Sequence, residues 1–161
     1  MNIDRRDFLK IGGCAFVCTC VSSAGASLCQ AAQPFGVSAT AQAAEGSFSL
    51  EGNTLVLDLA KNPVLKTPGG SVKLSVKNNA AVETKILVLC SDSGIYKAVP
   101  NKCTHGGMEL EYKQAEKHIR CVSFGKSEFD LTGKVLKGPA PNPLKMYSVS
   151  VKGDKLFIAL T

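Results

Sequence analysis

The stretch that decides how this chain folds is Cys103-Thr104-His105-Gly106-Gly107, followed by Cys121 and then by Gly138-Pro139-Ala140-Pro141. The Cys-x-His run places a thiol and an imidazole on one short segment, and a second thiol follows from a later one. Thiolate and imidazole are both ligands of transition metals. Glycine and proline interrupt regular elements, so these segments are predicted to be loops. The pattern therefore predicts a metal centre held between two loops.

The chain around these loops has the pattern of short β-strands separated by turns. Ser71–Val76 alternates with valine and leucine on one side, and Glu83–Leu89 has the apolar run of a more fully buried strand. Residues 101–112 are predicted to form a loop, and His118–Val122 is predicted to be a strand. No helix of ten residues is evident after the N-terminal segment. Turn signals every eight to twelve residues favour an all-β sandwich or barrel.

The N-terminus has the features of a targeting segment. Asp4–Lys10, with the pair Arg5 and Arg6, resembles a twin-arginine export signal. Residues 1–44 are accordingly assigned to a signal or signal-anchor with an Ala/Gly-rich tail, and residues 45–161 to the folded domain. This predicts a protein in the periplasm or on the periplasmic face of the cytoplasmic membrane.

Two fates of the export segment are open from sequence. Ala41-Gln42-Ala43 has the small-x-small pattern of a cleavage site, which is the favoured alternative. Ile11–Leu28 is also long enough to remain as a membrane anchor, since a span needs about 17–25 residues. Its many small and weakly polar residues would make a poor span. Membrane association through this segment is the second alternative.

Charge and cysteine content narrow the functional classes. The net charge is +6, and lysines such as Lys73 and Lys77 are scattered along strands, which is typical of solvated strand faces. This pattern argues against a nucleic-acid partner. The predicted domain has three cysteines, and Cys90 at the end of a buried strand is interpreted as a small core residue. An odd number of thiols in an oxidising compartment leaves at least one free or bound to metal.

Residues 46–161 resemble a Rieske domain, especially the small bacterial kind related to cytochrome bc-type subunits. The matching segments are Gly69-Gly70 before Val72-Lys73-Leu74, Lys102–Gly106, Cys121, Ser127–Pro141 and Pro143–Tyr147. The resemblance implies antiparallel sheets with two cluster-binding loops and a proline-rich loop that covers a [2Fe-2S] cluster. It also implies that Cys103 and Cys121 hold one iron and that His105 holds the other. Histidines on one iron of such clusters raise the reduction potential.

The chain departs from the family pattern in the second loop, which lacks its histidine. Counting forward from Cys121, the histidine position is Phe124, and counting back from the following segment it is Gly125. The family's high-potential members also have a disulfide between the two loops. Its positions are here Met108 and Ser123, so that disulfide is absent. The fourth ligand of the cluster is therefore not identified by sequence.

Three explanations of this departure are open. In the first, a substitute completes the site; the candidates are His118, Ser123, Glu109, Glu111 and solvent. His118 is itself interpreted as a surface residue beside Lys117 and Arg120. In the second, the cluster is lost and Cys103 pairs with Cys121 as a disulfide. In the third, the Cys2His set holds a metal such as zinc.

The first explanation is favoured, because a bare scaffold needs neither a Cys-x-His loop nor a proline cover. The sequence thus predicts one-electron transfer through an atypical [2Fe-2S] cluster. The chain would be an electron-transfer component rather than an independent enzyme, since no set of catalytic groups is evident. Its expected partner is a redox protein or respiratory complex, with the cytochrome bc type as one candidate. The rival hypothesis is a cluster-free binding or structural module with the same fold.

Overall fold

The computed structural model describes residues 40–77 and 82–161. The predicted export signal, the anchor alternative and the turn at Asn78-Asn79 lie outside the described residues. The described part is built from β-strands with one 3-10 helix at Pro63–Lys66, so the prediction of an all-β fold is confirmed. Within these two ranges, no helix has the length and apolar character that crossing a membrane requires.

Twelve strands form three four-stranded sheets. The base sheet has the order β11-β12-β3-β2, the middle sheet β1-β4-β5-β6 and the site sheet β10-β9-β8-β7. The strands are β1 Thr40–Gln42, β2 Phe48–Glu51, β3 Thr54–Asp58, β4 Ser71–Lys77, β5 Glu83–Cys90, β6 Tyr96–Pro100, β7 Leu110–Lys113, β8 His118–Cys121, β9 Glu128–Phe129, β10 Val135–Lys137, β11 Ser148–Lys152 and β12 Lys155–Ala159. All neighbours are antiparallel except β1 and β4.

The middle sheet separates two hydrophobic cores. The base core lies between the base and middle sheets and includes Leu55, Leu57, Val72, Leu74, Ile86, Val88, Leu156 and Ile158. The site core lies on the other face of the middle sheet and includes Leu87, Leu89, Val99, Leu110, Ile119 and Phe129, together with Cys103 and Cys121. Successive strand residues point to opposite faces. Strand β5 therefore supplies side chains to both cores, which explains its unbroken apolar run.

The predicted loop at residues 101–112 is shorter than expected. Leu110–Lys113 forms strand β7, which pairs with β8 from Leu110↔Cys121 to Lys113↔His118. Leu110 and Tyr112 are buried and alternate with the half-buried Glu111 and Lys113, which is the pattern of a strand with one face on a core. The sequence did not predict this short strand, because Gly106, Gly107 and the Cys-x-His motif before it indicated a loop. The pairing brings the two cysteine segments to the same edge of the site sheet.

The middle sheet begins before the predicted domain boundary at residue 45. Strand β1 pairs in parallel with β4, with Thr40 opposite Ser71, and the hydroxyl oxygens of these two residues lie 3.0 Å apart. The Ala43 N–H donates to the Lys73 carbonyl oxygen at 2.9 Å, and Ala41 and Ala43 pack against the base core. The Ala41-Gln42-Ala43 segment is therefore part of the sheet in the folded chain.

Candidate metal centre

Three loops meet at one edge of the site sheet. The first loop, residues 101–109, connects β6 to β7; the second loop, residues 122–127, connects β8 to β9; the proline loop, residues 138–147, connects β10 to β11. The Val122 N–H donates to the Glu109 carbonyl oxygen at 3.0 Å and joins the first two loops. Thr104 Oγ1 donates to the Asn142 carbonyl oxygen at 2.7 Å and joins the first loop to the proline loop. Each loop is thus held by another.

Cys103 lies at the base of a tight turn in the first loop. Its N–H donates to the Met108 carbonyl oxygen at 2.7 Å, and its own carbonyl oxygen accepts from Gly107 at 2.8 Å. Gly107 has φ +71°, a conformation that favours glycine. Burial raises the pKa of the Cys103 thiol, while the backbone N–H groups of His105 and Gly106 act in the opposite direction. These two N–H groups point at the sulfur and are placed to stabilise a thiolate.

Cys121 ends strand β8 and enters the same core from the opposite side. Its N–H donates to the Ser127 carbonyl oxygen at 2.8 Å, and its Sγ lies 3.1 Å from Ser123 Oγ. Burial raises the pKa of this thiol, but its hydrogen bonds with the side chain and the backbone of Ser123 outweigh burial and lower the pKa overall. The side chains of Cys103 and Cys121 pack in the same core, and the neighbouring Cys121 thiol contributes to raising the pKa of Cys103. The structure therefore brings two buried sulfurs from separate loops together.

His105 is placed differently from the cysteines. It is exposed on the first loop and lines a cavity of about 670 Å³ together with Thr104, Asn142 and Lys145. Among residues 40–77 and 82–161, no group of three His, Cys, Asp or Glu side chains is gathered closely enough to hold a metal ion. The thiols of Cys103 and Cys121 are buried in one core, whereas the imidazole of His105 is exposed to solvent on the first loop.

The position of the missing histidine is a turn in the second loop. The Lys126 N–H donates to the Ser123 carbonyl oxygen at 3.0 Å, so Phe124 and Gly125 occupy the apex. Phe124 is fully exposed, at 103% of its reference area. A Cβ on Gly125 would lie 3.0 Å from Pro139 Cγ in the proline loop. A longer side chain therefore has open space at position 124 and meets the proline loop at position 125.

The prediction that His118 is a surface residue is wrong. His118 is 8% exposed, and its Nε2 lies 3.0 Å from Glu116 Oε2. It lies opposite Lys113, at the other end of the β7–β8 pairing from Cys121. His118 and Cys121 are three residues apart on β8, so they lie about 10 Å apart and their side chains point to opposite faces of the sheet. This placement argues against His118 as the fourth ligand.

The two glutamates considered as ligands are engaged elsewhere. Glu109 pairs with Lys73 at 3.0 Å and Lys85 at 3.1 Å, and Glu111 pairs with Lys113 at 2.8 Å. Lys73 was expected to be solvated, but its side chain is only 14% exposed. The strand alternation gave no sign of this ion pair, because its partner, Glu109, lies in a loop that is distant in sequence. Ser123 and solvent remain as candidates near Cys121.

A buried hydroxyl provides a test of whether these residues fit a cluster. Ser127 is fully buried, and its Oγ has no hydrogen-bond partner. An orphaned buried hydroxyl costs about 1–3 kcal/mol, so it indicates a missing acceptor. Gly138, at φ +97°, lies so close to Ser127 that a Cβ there would be 2.6 Å from the Ser127 Cα. The two thiols and this hydroxyl fit a sulfur-rich group such as an iron–sulfur cluster. The second iron of such a cluster would have only one histidine, His105, instead of the two that the family pattern requires.

The structural role of Asn101 was not predicted from the sequence. Its side-chain oxygen accepts from the Leu110 N–H at 2.6 Å, and the residue is 3% exposed. This bond closes the first loop at its base and so positions Cys103. A polar residue directly before Lys102-Cys103 was the available signal, but its burial depends on how the loop returns to strand β7.

A family model described as the Rieske [2Fe-2S] domain matches residues 65–148, which is more than half of the 161 residues. The chain belongs to the Rieske family. The cytochrome b6-f complex iron-sulfur subunit of Chlorobaculum tepidum is 30% identical over 106 residues, covering 66% of this chain and 55% of the relative. The corresponding subunit of Synechococcus elongatus is 42% identical over 57 residues, covering 35% and 31%. The chain thus spans about half, or less, of these curated relatives.

Two solved structures are similar to this chain. The cyanobacterial plasma membrane Rieske protein PetC3 from Synechocystis PCC 6803 is 32% identical, with a TM-score of 0.44 over 53% of this chain and 84% of that chain. The quaternary ammonium Rieske monooxygenase CntA in complex with L-carnitine is 18% identical, with a TM-score of 0.50 over 62% and 30%. The second likeness is one of fold alone.

Proposed function

We propose that this chain transfers single electrons through a Rieske-type [2Fe-2S] cluster as a subunit or partner of a respiratory or redox complex. The observation that carries the proposal is the pair of buried thiols of Cys103 and Cys121, which pack in one core with Ala140 and Leu144 of the proline loop. When bound, the cluster supplies one-electron oxidation and reduction. The chain is an electron-transfer component in this proposal rather than an independent enzyme.

Each side chain has a distinct task in this proposal. Cys103 and Cys121 would hold one iron, and the N–H groups behind Cys103 and the Ser123 side chain beside Cys121 are placed to stabilise negative charge on their sulfurs. His105 would hold the other iron from the exposed side of the first loop. The fourth position would be filled by a ligand other than the second-loop histidine of the family, since this chain has none there. The proline loop excludes water from the sulfur side of the site.

The proposed setting follows from the N-terminal sequence and from the relatives. The relatives are subunits of cytochrome b6-f complexes, which supports a redox complex as partner. The Arg5-Arg6 segment favours export by the twin-arginine route, to the periplasm or the periplasmic face of the cytoplasmic membrane. Residues 1–44 act as a signal or as an anchor that keeps the domain at the membrane.

The direct test is to measure iron and acid-labile sulfide in protein purified without air from its native host. We expect iron and sulfide in equal amounts and a paramagnetic signal from the reduced protein at low temperature. Colourless protein without iron would overturn the electron-transfer proposal and leave the fold unaffected.

Phe124→His tests the missing ligand. The side chain at position 124 has open space, so an imidazole is accepted there without displacing the proline loop. Even outer-sphere partners change metal affinity by about 10–100-fold, so we expect iron and sulfide content to rise at least about twofold. The matched control is Val122→His, which adds an imidazole at another exposed position of the same loop. Equal content in the two variants would count against position 124 as the ligand position.

A cluster-free module is the second candidate, and one observation favours it. The second loop has no histidine, so three rather than four of the family's ligands are present, while Cys103 and Cys121 lie in the same core. Thiol titration of the purified protein separates the candidates. Iron-bound or free thiols favour the carrier, and a Cys103–Cys121 disulfide favours a structural or binding role.

A further inference from the structure

The shortage of ligands at the second iron is a property of the fold as well as of the sequence. A Rieske cluster takes two protein ligands at each iron, and the second loop has no histidine to supply the fourth. The histidine position, Phe124, lies at the apex of a turn with its side chain fully exposed. Neither the phenyl ring nor the neighbouring Gly125 has a side-chain donor atom for iron. The apex of the second loop therefore supplies no ligand.

None of the side chains considered as substitutes is placed to bind the second iron. His118 lies at the other end of the β7–β8 pairing, and Glu109 and Glu111 are held in ion pairs with lysines. Ser123 Oγ lies 3.1 Å from Cys121 Sγ. The ligands of the two irons point away from each other across the cluster, so a group in contact with a cysteine of one iron is too far from the other. Among the candidates, solvent is the one that remains.

The cavity beside His105 gives small solutes access to this side of the site. Its volume is about 670 Å³, and its lining includes both ends of the Cys-x-His motif, Cys103 and His105. The exposed residues Lys102 and Lys145 also line it, whereas none of the lining residues is an aspartate or a glutamate. A cleft lined by charges of one sign raises the local concentration of counter-ions. The cavity therefore favours small anions over cations.

We propose that the iron held by His105 has an exchangeable fourth position, open to this cavity, which binds a small anion in place of water. This inference rests on the proposed function, because it concerns the cluster that Cys103 and Cys121 would hold. The anion donates a lone pair to the iron, the water leaves to solvent, and no electron is transferred. Lys102 and Lys145 offset the added negative charge. An iron with two histidines has no such position, because protein ligands fill it.

The experiment titrates the full-length, iron-loaded protein with azide, a small anion, and with imidazole, a neutral donor. The measurements are the visible absorbance and the low-temperature paramagnetic spectrum of the reduced protein. We expect both probes to change the spectra in a saturable way. Lys102→Gln/Lys145→Gln should weaken azide binding at least about twofold and leave imidazole binding nearly unchanged, because only azide carries a charge. The matched control, Lys152→Gln/Lys155→Gln at exposed positions of the base sheet, should change neither affinity.

Filling the position with a protein ligand should remove the response to azide. Phe124→His places an imidazole where the family has its histidine, so we expect azide to change neither spectrum of this variant. Val122→His adds an imidazole at a 44% exposed position of the same loop and should keep the response. Phe124→Cys, which supplies a thiolate, is a second blocking variant in case the histidine variant holds less iron. Iron and sulfide are measured on every sample.

Four results would overturn the proposal: no effect of azide on the iron-loaded protein, an undiminished response in both blocking variants, equal effects of the two lysine variants, or a response that appears only after Ser123→Ala or Met108→Leu. The last result would show that a protein side chain already fills the position. Each of these failures is observed on protein that contains iron and sulfide, so it leaves the electron-transfer proposal intact. Protein without iron rejects the electron-transfer role together with this inference, so the two failures are distinguishable.

Discussion

At the scale of single residues, Glu109 shows how the first loop is tied to the middle sheet. Its carboxylate pairs with Lys73 on β4 and Lys85 on β5, while its carbonyl oxygen accepts from Val122 in the second loop. The hydrogen bond from Lys73 is the main reason that the pKa of Glu109 lies below its usual value, and Lys85 adds to it. One residue thus joins both loops to the sheet beneath them.

Glu109→Gln should remove a pH-dependent contribution to stability. A carboxylate with a lowered pKa stabilises the fold fully above its unfolded-state pKa, and this contribution declines as pH falls through the folded-state pKa. The Glu109 side chain is 41% exposed, so we expect a loss of at most about 1 kcal/mol near pH 7 and a smaller loss near pH 4, below the ordinary pKa of a glutamate. Urea unfolding of the reduced protein at both pH values measures this. Glu51→Gln, at an exposed position on β2, is the control; an equal loss in both variants would contradict the assignment.

At the scale of elements, strand β5 is the shared wall of both cores. Leu87 and Leu89 face the site core, and Ile86 and Val88 face the base core. The strand is therefore buried on both faces, which antiparallel sheets show only when both sides are covered. Packing under the cysteines depends on one face of this strand alone.

A pair of substitutions on β5 should separate stability from the site. Leu87→Ala and Ile86→Ala each remove a fully buried side chain, and each should cost about 2–5 kcal/mol of unfolding free energy. Because Leu87 packs in the same core as Cys103 and Cys121, Leu87→Ala should also speed the alkylation of these thiols under native conditions. Ile86→Ala should leave their reactivity nearly unchanged. The same acceleration in both variants would show that global opening, rather than the site core, controls thiol access.

At the scale of the whole molecule, the base and middle sheets enclose one core, and the loops of the candidate metal centre meet at one edge of the third sheet. Strand β1 adds to the middle sheet from a segment that the sequence assigned to the export signal. The folded unit therefore includes residues on both sides of the predicted cleavage position after Ala43.

A chain that begins at Ala44 should be less stable than one that begins at Ser38. The shorter chain loses the pairing of β1 with β4, including the bond from Ala43 to the Lys73 carbonyl oxygen. We expect a loss on the order of 1 kcal/mol, because net contributions of single hydrogen bonds are small. Hydrogen exchange should be faster in β4 of the shorter chain, with β12 as the internal control. Identical unfolding curves and exchange would show that β1 contributes nothing to the fold.

Local patterns in the sequence were sufficient for the alternation in β4 and the apolar run of β5, because such features depend on neighbours in the chain. The family resemblance, and not a local pattern, implied that Cys103 and Cys121 lie close together. The tertiary structure decided what depends on distant neighbours: the burial of His118, the Lys73–Glu109 pair, the orphaned Ser127 hydroxyl and the open space at Phe124. Each of these is set by how separate sheets and loops pack, and no local pattern records that packing.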